Sequence, residues 1–345
     1  MKDGAEAKAD CVSVVATCLN EAGSIGEWWA SLRAQTLQPT EIVVVDGGSD
    51  DGTVEFLRQA DPRIRVLVAP GANVPQGRNI AIAAATCPLI AVSDAGTSLE
   101  PDWLERLIRP LREDARIDVS GGFFRPRGET FIQRLIATVI TPRLGEIDPA
   151  SYLPSSRSLA LRREAWDRVG GYPDWLRWGE DVVFDLKLRD SGARFAFVPE
   201  AIVDWFPPAT LRQFMRQYRL YARGDGQWGL WPLRHLLRYS FYAFLAGLVI
   251  AAGRRSRLWT LVVPVANAYL RRFYWRVRDE RPFEGPDEML AAYLLVAPIV
   301  AAGDAAKMVG YVQGRIDRHR AGGRDGLAAR TDAVSVAEGA VPLGR

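Results

Sequence analysis

Four short runs rich in β-branched residues, separated by stretches with helical spacing, constrain this chain more than any other feature. Val12–Ala16 (VSVVA) reads as a buried strand, and Glu41–Val45 (EIVVV), Ile64–Val68 and Leu89–Val92 read as further strands. Glu27–Leu37 carries Trp28, Trp29, Leu32 and Leu37 at helical spacing. Gly52–Gln59, Gly77–Ala85 and Pro101–Leu111 are also helix-like, the first with Asp50 or Asp51 as its N-cap. Strands alternating with helices predict βαβ units and a mostly parallel sheet. Ligands of such sheets bind beyond the carboxyl ends of the strands. Two of those ends carry acids: the second run closes in Asp46 and the fourth in Ser93-Asp94.

Several function classes drop out. No GxGxxG follows a strand, since the loops read TCLNEAG and GGSDDG, and no Walker lysine is present among the four lysines of the chain. Three cysteines (Cys11, Cys18, Cys87) without paired spacing argue against a disulfide framework or zinc knuckles and fit a reducing compartment. Two histidines, His235 and His319, argue against a His-based triad or metal site, and a net charge of +3 does not point to nucleic acid. Residues 1–10 are polar and lack the apolar core of a signal peptide.

The small net charge hides an asymmetry. Between Trp205 and Glu280 there are 13 arginines against three acids, and three uncharged apolar runs fall in or just after that zone: Tyr239–Gly253, Leu258–Leu270 and Met289–Gly303. At 15, 13 and 15 residues they are short for membrane crossings, which need about 20. Arg254, Arg255 and Arg257 would face outward if the first run crossed from the cytosol, against the positive-inside tendency. The expectation is therefore in-plane or re-entrant helices over residues 231–315, with a two-helix crossing or a soluble helical core as the alternatives. Gly303–Gly314 adds an amphipathic turn or two, and residues 316–345 are expected to be a flexible tail.

VSVVATCLNE, VVVDGGSDDGT, GRNIAIAAAT and IAVSDAGTSLEPDWLE, in that order, resemble the nucleotide-sugar half of a family 2 glycosyltransferase. SRSLALRREAWDRVGGYPDWLRWGEDVVFDLKLRDSG resembles the acceptor half, and FMRQYRLYARGDG the segment that follows in membrane-linked members. The resemblance implies an α/β domain of the GT-A type over residues 11–230, with a nucleotide-sugar half (11–115) and an acceptor half (116–230). It places the domain on the cytoplasmic face of the inner membrane and implies an inverting transfer from a nucleoside diphosphate sugar to a lipid-linked or cell-envelope glycan.

The same resemblance distributes roles. Thr17, Asn20 and Glu21 follow the first strand near the nucleoside, and Asp46 accepts a hydrogen bond from the base. Asp94 stands first in an Asp-x-Asp motif that holds ribose and a divalent metal, Mg²⁺ or Mn²⁺, although the third position here is Gly96. Arg78 and Arg157 reach the nucleotide or its phosphates. Asp181, of the Glu180-Asp181 pair, is the general base, with Glu180 orienting its neighbours. Gln217, Arg219 and Arg223 face the diphosphate. Each has a plainer reading: Asn20 and Asp46 as turn caps, Arg78 as a structural ion-pair residue, Glu180-Asp181 as complements of a helix dipole, and the last arginines as contacts to anionic lipid. Gly96 keeps a catalytically silent nucleotide-sugar-binding protein open as a second hypothesis, and a soluble nucleotidyltransferase is a third.

Overall fold

The computed structural model describes residues 11–280 and 282–329; residues 1–10 and the last part of the expected tail, 330–345, lie outside them. Two compact units emerge, one built from residues up to 125 and from 144–206, the other from 126–143 and 207–324.

The first unit is α/β, as the alternating pattern predicts. Its strands are β1 (Val12–Cys18), β2 (Glu41–Asp46), β3 (Ile64–Val68), β4 (Leu89–Asp94), β5 (Thr97–Leu99), β6 (Val119–Pro126), β7 (Leu159–Arg162) and β8 (Phe195–Trp205). Its helices are α1 (Ile25–Arg33), α2 (Thr53–Ala60), α3 (Val74–Ala84), α4 (Trp103–Glu113), α6 (Arg163–Val169) and α7 (Glu180–Asp190), while α5 (Phe131–Ile140) belongs to the second unit. The sheet order is β3-β2-β1-β4-β7-β6-β8-β5. The four sequence-evident strands are parallel, whereas β7 runs antiparallel to β4 and to β6, and β5 to β8, so the whole sheet is mixed. Alternate residues of each strand point to opposite faces. Val14 and Val44 pack with Trp28 and Trp103 on one side, and Val15 and Val45 with Ile82 and Phe184 on the other.

The chain winds outward in both directions from β1, which has β2 on one side and β4 on the other. Such a reversal opens a crevice at the carboxyl ends of the strands. The register sets what lines it: Thr17 pairs with Asp94, and Cys18 with Asp46. The same register corrects the expectation of three unpaired thiols. Val12 lies opposite Leu89, so the residues just ahead of β1 and β4 come together. Cys11 and Cys87, 76 positions apart, are disulfide-bonded with their Cα atoms 5.3 Å apart. Cys18 alone is free, and it is buried.

The second unit is helical. Besides α5 it holds α8 (Leu211–Trp228), α9 (Pro232–Arg254), α10 (Trp259–Glu280) and α11 (Gly285–Arg320). Of these, α9 and α11 are long and apolar enough to cross a membrane. The apolar run at the heart of α9 is extended because Arg238 does not end it: the guanidinium is buried and its Nε donates to Asp304 of α11 at 2.9 Å. Asp304 also accepts from Tyr242 (3.1 Å) and Tyr269 (2.5 Å). Residues 303–314, expected as a last turn or two, are instead the interior of the 36-residue α11, which continues through residues 316–320 of the expected tail. This stretch presents glycines to α8. A Cβ at Gly310 would sit 2.0 Å from the Arg219 carbonyl oxygen, and one at Gly314 would sit 2.0 Å from that of Arg223. Only hydrogen fits there, so the two backbones touch.

Candidate active site

The site is assembled at the carboxyl ends of β1 and β4. Helix α3 lies close under β1, because a Cβ on Gly77 would come 2.7 Å from Thr17 Cγ2. A capping box, with Asn73 and Gln76 as its two members, starts this helix and sets where the next residues fall. Arg78 is thereby carried beneath the strand ends, almost fully buried. Its two terminal nitrogens donate in different directions, one to Asp94 Oδ1 and one to Glu180 Oε1, each at 2.8 Å. One guanidinium thus joins the acid at the end of β4 to the first residue of α7. The Tyr172 ring lies 5.5 Å from the Arg78 guanidinium carbon. Asn79 fixes that tyrosine by exchanging two hydrogen bonds of 2.9 Å with its backbone, and Tyr172 stacks on Phe184.

Asp94 has a second cationic neighbour. Arg157 Nε lies 3.5 Å from Asp94 Oδ2, and its guanidinium rests 5.0 Å from the Trp205 ring centre. Burial alone would raise the Asp94 carboxyl, but Arg78 and Arg157 outweigh it and hold it below the usual carboxylate range. Glu180 goes the other way: burial and the adjacent Asp181 charge push it up to about 7 against the pull of Arg78. Asp181 is only partly buried and has no ion-pair partner among the described residues; its Oδ1 accepts from the Val182 amide at 2.8 Å. Of the three acids, it is the one without an arginine partner among the described residues.

The remaining strand-end residues form a second group. Asp46 is fully buried and its carboxylate caps the turn that follows, accepting from the amides of Gly48 (2.9 Å) and Ser49 (2.8 Å) and from the Ser49 hydroxyl. Asn20, with φ 55°, accepts from the Asp50 amide at 3.0 Å and donates its own amide to Ser49 at 2.8 Å. These contacts realise the turn-cap reading of both residues. Glu21 donates its amide to Thr53, and its carboxylate takes the Ser24 hydroxyl. A Cβ added to Gly96 would lie 3.6 Å from Glu21 Oε2. The place left by the absent second acid of the Asp-x-Asp motif therefore opens onto another carboxylate.

Gln217, Arg219 and Arg223 lie on α8 in the helical unit. Gln217 donates to Tyr221 at 2.8 Å, Arg219 is exposed, and Arg223 donates to Asp317 of α11 at 2.6 Å. The first unit instead brings Tyr172, Trp205 and Asp185 into the neighbourhood, none of which the motifs single out by role. Asp185 is one turn beyond Asp181 on α7, and both its oxygens are buried without a hydrogen-bond partner. Burial first, then the Asp181 charge, raise its carboxyl well above the normal range. An acid raised on folding binds more protons native than unfolded, so its cost to stability grows as pH rises above the ordinary carboxylate range. Asp185→Asn is accordingly expected to raise Tm at pH 7–8, by roughly 2–4 °C for each kcal/mol relieved, with the gain fading toward pH 4. Thermal melts of both proteins across that range check it, and an equal gain at every pH refutes it.

Among known proteins, glycosyl transferase family 2 matches residues 13–169, from β1 to the end of α6. The succinoglycan biosynthesis protein ExoA of Rhizobium meliloti is 28% identical over 82% of this chain and 90% of its own. The glycosyltransferase AglE of Haloferax volcanii is 26% identical over 69% of this chain and 80% of its own. The N-acetylglucosaminyl-diphospho-decaprenol L-rhamnosyltransferase of Mycobacterium tuberculosis is 26% identical over 72% and 96%. The stretch matched by the family contains the strand ends, Arg78, Asp94 and Arg157, and these are the groups around which the site is built: residues 13–169 are a glycosyl transferase family 2 domain, and the chain is a glycosyl transfer enzyme.

Proposed function

We propose that the enzyme moves a sugar, with inversion, from a nucleoside diphosphate sugar to a lipid-linked or cell-envelope glycan acceptor at the cytoplasmic face of the inner membrane. The observation that carries this reading is the double hydrogen bond of Arg78, which sets Asp94 and the Glu180-Asp181 pair around one side chain. The names of the succinoglycan and diphospho-decaprenol relatives support an envelope glycan or lipid-linked acceptor. The two long apolar helices support the membrane setting.

Transfer needs the acceptor hydroxyl to lose its proton as it attacks C1 and the departing diphosphate to be neutralised. In our reading Asp181 takes that proton, while Glu180 and Arg78 fix the start of α7. Displacement from the face opposite the leaving group inverts the anomeric centre. Thr17, Asn20, Glu21 and Asp46 lie along the nucleoside side. Arg157, backed by Trp205, is placed to meet phosphate oxygens, and Gln217, Arg219 and Arg223 are carried over as donor contacts. The donor set suits a hard divalent cation, because oxygen ligands favour Mg²⁺ or Mn²⁺ and one or two carboxylates suffice beside phosphates. Asp94 would hold it, with Glu21 supplying the carboxylate that Gly96 lacks, and the cation would neutralise charge developing on the diphosphate.

A thermal-shift panel of UDP, GDP, TDP and CDP, with and without Mn²⁺, tests this reading. One nucleotide at a hundred times its Kd is expected to stabilise the chain by about 2.7 kcal/mol. Glu21→Gln should lose the Mn²⁺-dependent part of the shift, and Glu21→Gln/Gly96→Asp should regain it. If no nucleotide stabilises the chain, the donor-site reading falls. If the metal-dependent part survives Glu21→Gln, the role given to Glu21 falls alone.

A further inference from the structure

Within the helical unit, a groove of about 770 Å³ opens where the start of α9 meets the middle of α10. Its charged lining is Arg234, Arg238 and Arg272, with no acid among the lining residues. Arg238 is committed to Asp304, whereas Arg234 and Arg272 are exposed and have no carboxylate partner among the described residues. The rest of the lining is apolar or aromatic and includes Trp231, Leu237 and Phe241. Leu237 is 61% exposed, so this apolar side chain of the groove is left largely uncovered by the described residues.

Two further features point to an occupant that is anionic at one end and greasy at the other. Trp231 holds φ 50°, a left-handed conformation that a bulky residue avoids unless its surroundings fix it, and it lines the groove. Aromatic residues of this kind sit at headgroup level in membrane proteins. The groove also lies at the end of a helix long and apolar enough to span a bilayer, the level at which phosphates of lipid headgroups are found. Guanidinium groups match phosphate oxygens in geometry and charge, and basic pockets between membrane helices take anionic headgroups.

We propose that this groove binds an anionic phospholipid of the surrounding bilayer, with its phosphate between Arg234 and Arg272 and an acyl chain along Leu237 and Phe241. The inference rests on the membrane placement of α9 and not on the transfer reaction. The test uses the full chain in nanodiscs of phosphatidylcholine alone or with phosphatidylglycerol, followed by native mass spectrometry of retained lipid. Phosphatidylglycerol should be retained in preference to phosphatidylcholine. Arg234→Ala/Arg272→Ala should weaken that retention by more than about tenfold, whereas Arg254→Ala/Arg257→Ala, at the far end of α9, should not. Arg238 is left in place because removing it would strand Asp304. Equal retention of the two lipids, equal loss in both arginine pairs, displacement of phosphatidylglycerol by an isoprenoid phosphate, or binding of inorganic phosphate alone would each overturn the proposal. Failure of the chain to enter either nanodisc would instead overturn the membrane placement.

Discussion

Asp181→Asn is expected to abolish glycosyl transfer, by roughly 10²–10⁴-fold, the usual contribution of a positioned general base. Donor binding should survive, because the groups assigned to the donor are other side chains. The substitution keeps the size of the residue and removes only its capacity to take a proton. The Arg78 bridge does not include Asp181, so the site should hold its shape. Radiolabelled transfer to a membrane extract, alongside nucleotide binding to the same protein, separates the two effects. Unchanged transfer would remove Asp181 from the chemistry, and a parallel loss of donor binding would make its role structural.

A second large effect is expected in the helical unit. Asp304→Leu takes the carboxylate from a cluster that holds Arg238 Nε, the Tyr242 and Tyr269 hydroxyls and, at 3.7 Å, Lys307. Arg238 and Asp304 are both buried, and breaking such a pair from one side costs about 3–5 kcal/mol, because the surviving charge stays desolvated. Replacing both partners with apolar residues of similar volume is often close to neutral. Asp304→Leu should therefore lower Tm sharply in detergent, and Asp304→Leu/Arg238→Met should recover most of the loss. A double variant no better than the single one would show that the tyrosine contacts, not the ion pair, carry the cluster.

The parallel half of the sheet is written plainly in the chain, because short β-branched runs alternating with helical spacing read as strands of βαβ units, with β1, β2 and β4 buried almost throughout and β3 more exposed. Asp94 is equally visible, since strand ends are where such folds put their ligands. What the residues could not display is pairing over distance. Cys11 and Cys87 look unrelated until the β1–β4 register sets them side by side. Arg238 looks like the end of an apolar run because its neutralising partner is 66 residues away on another helix. Asp304 and Lys307 break the pattern of α11 in the same way, so one long helix reads as a short run and a separate turn. Tyr172 sits in the GGYPDW of the acceptor-like stretch, but its contact with Arg78 depends on how Asn79 of GRN grips its backbone. Asp185 lies within the GEDVVFDLKL stretch but is given no role by it, and its burial without hydrogen-bond partners is what marks it.

The glycines through which α8 and α11 touch bear on the order in which the molecule can be made. Helix α8 is complete once residue 228 has been added, but the surface that must lie against it arrives only with residues 303–314. At roughly 5–20 residues per second, synthesis leaves α8 waiting for several seconds. During that interval its face toward α11, including the ring of Phe214 that later meets Gly303, has no partner from its own chain. A ribosome stalled anywhere between these two points would display a catalytic half followed by an unpaired helix. Helix α11 thus completes the partner surface of α8 late in synthesis, and a chain cut before it would leave that face of α8 open to chaperones and proteases.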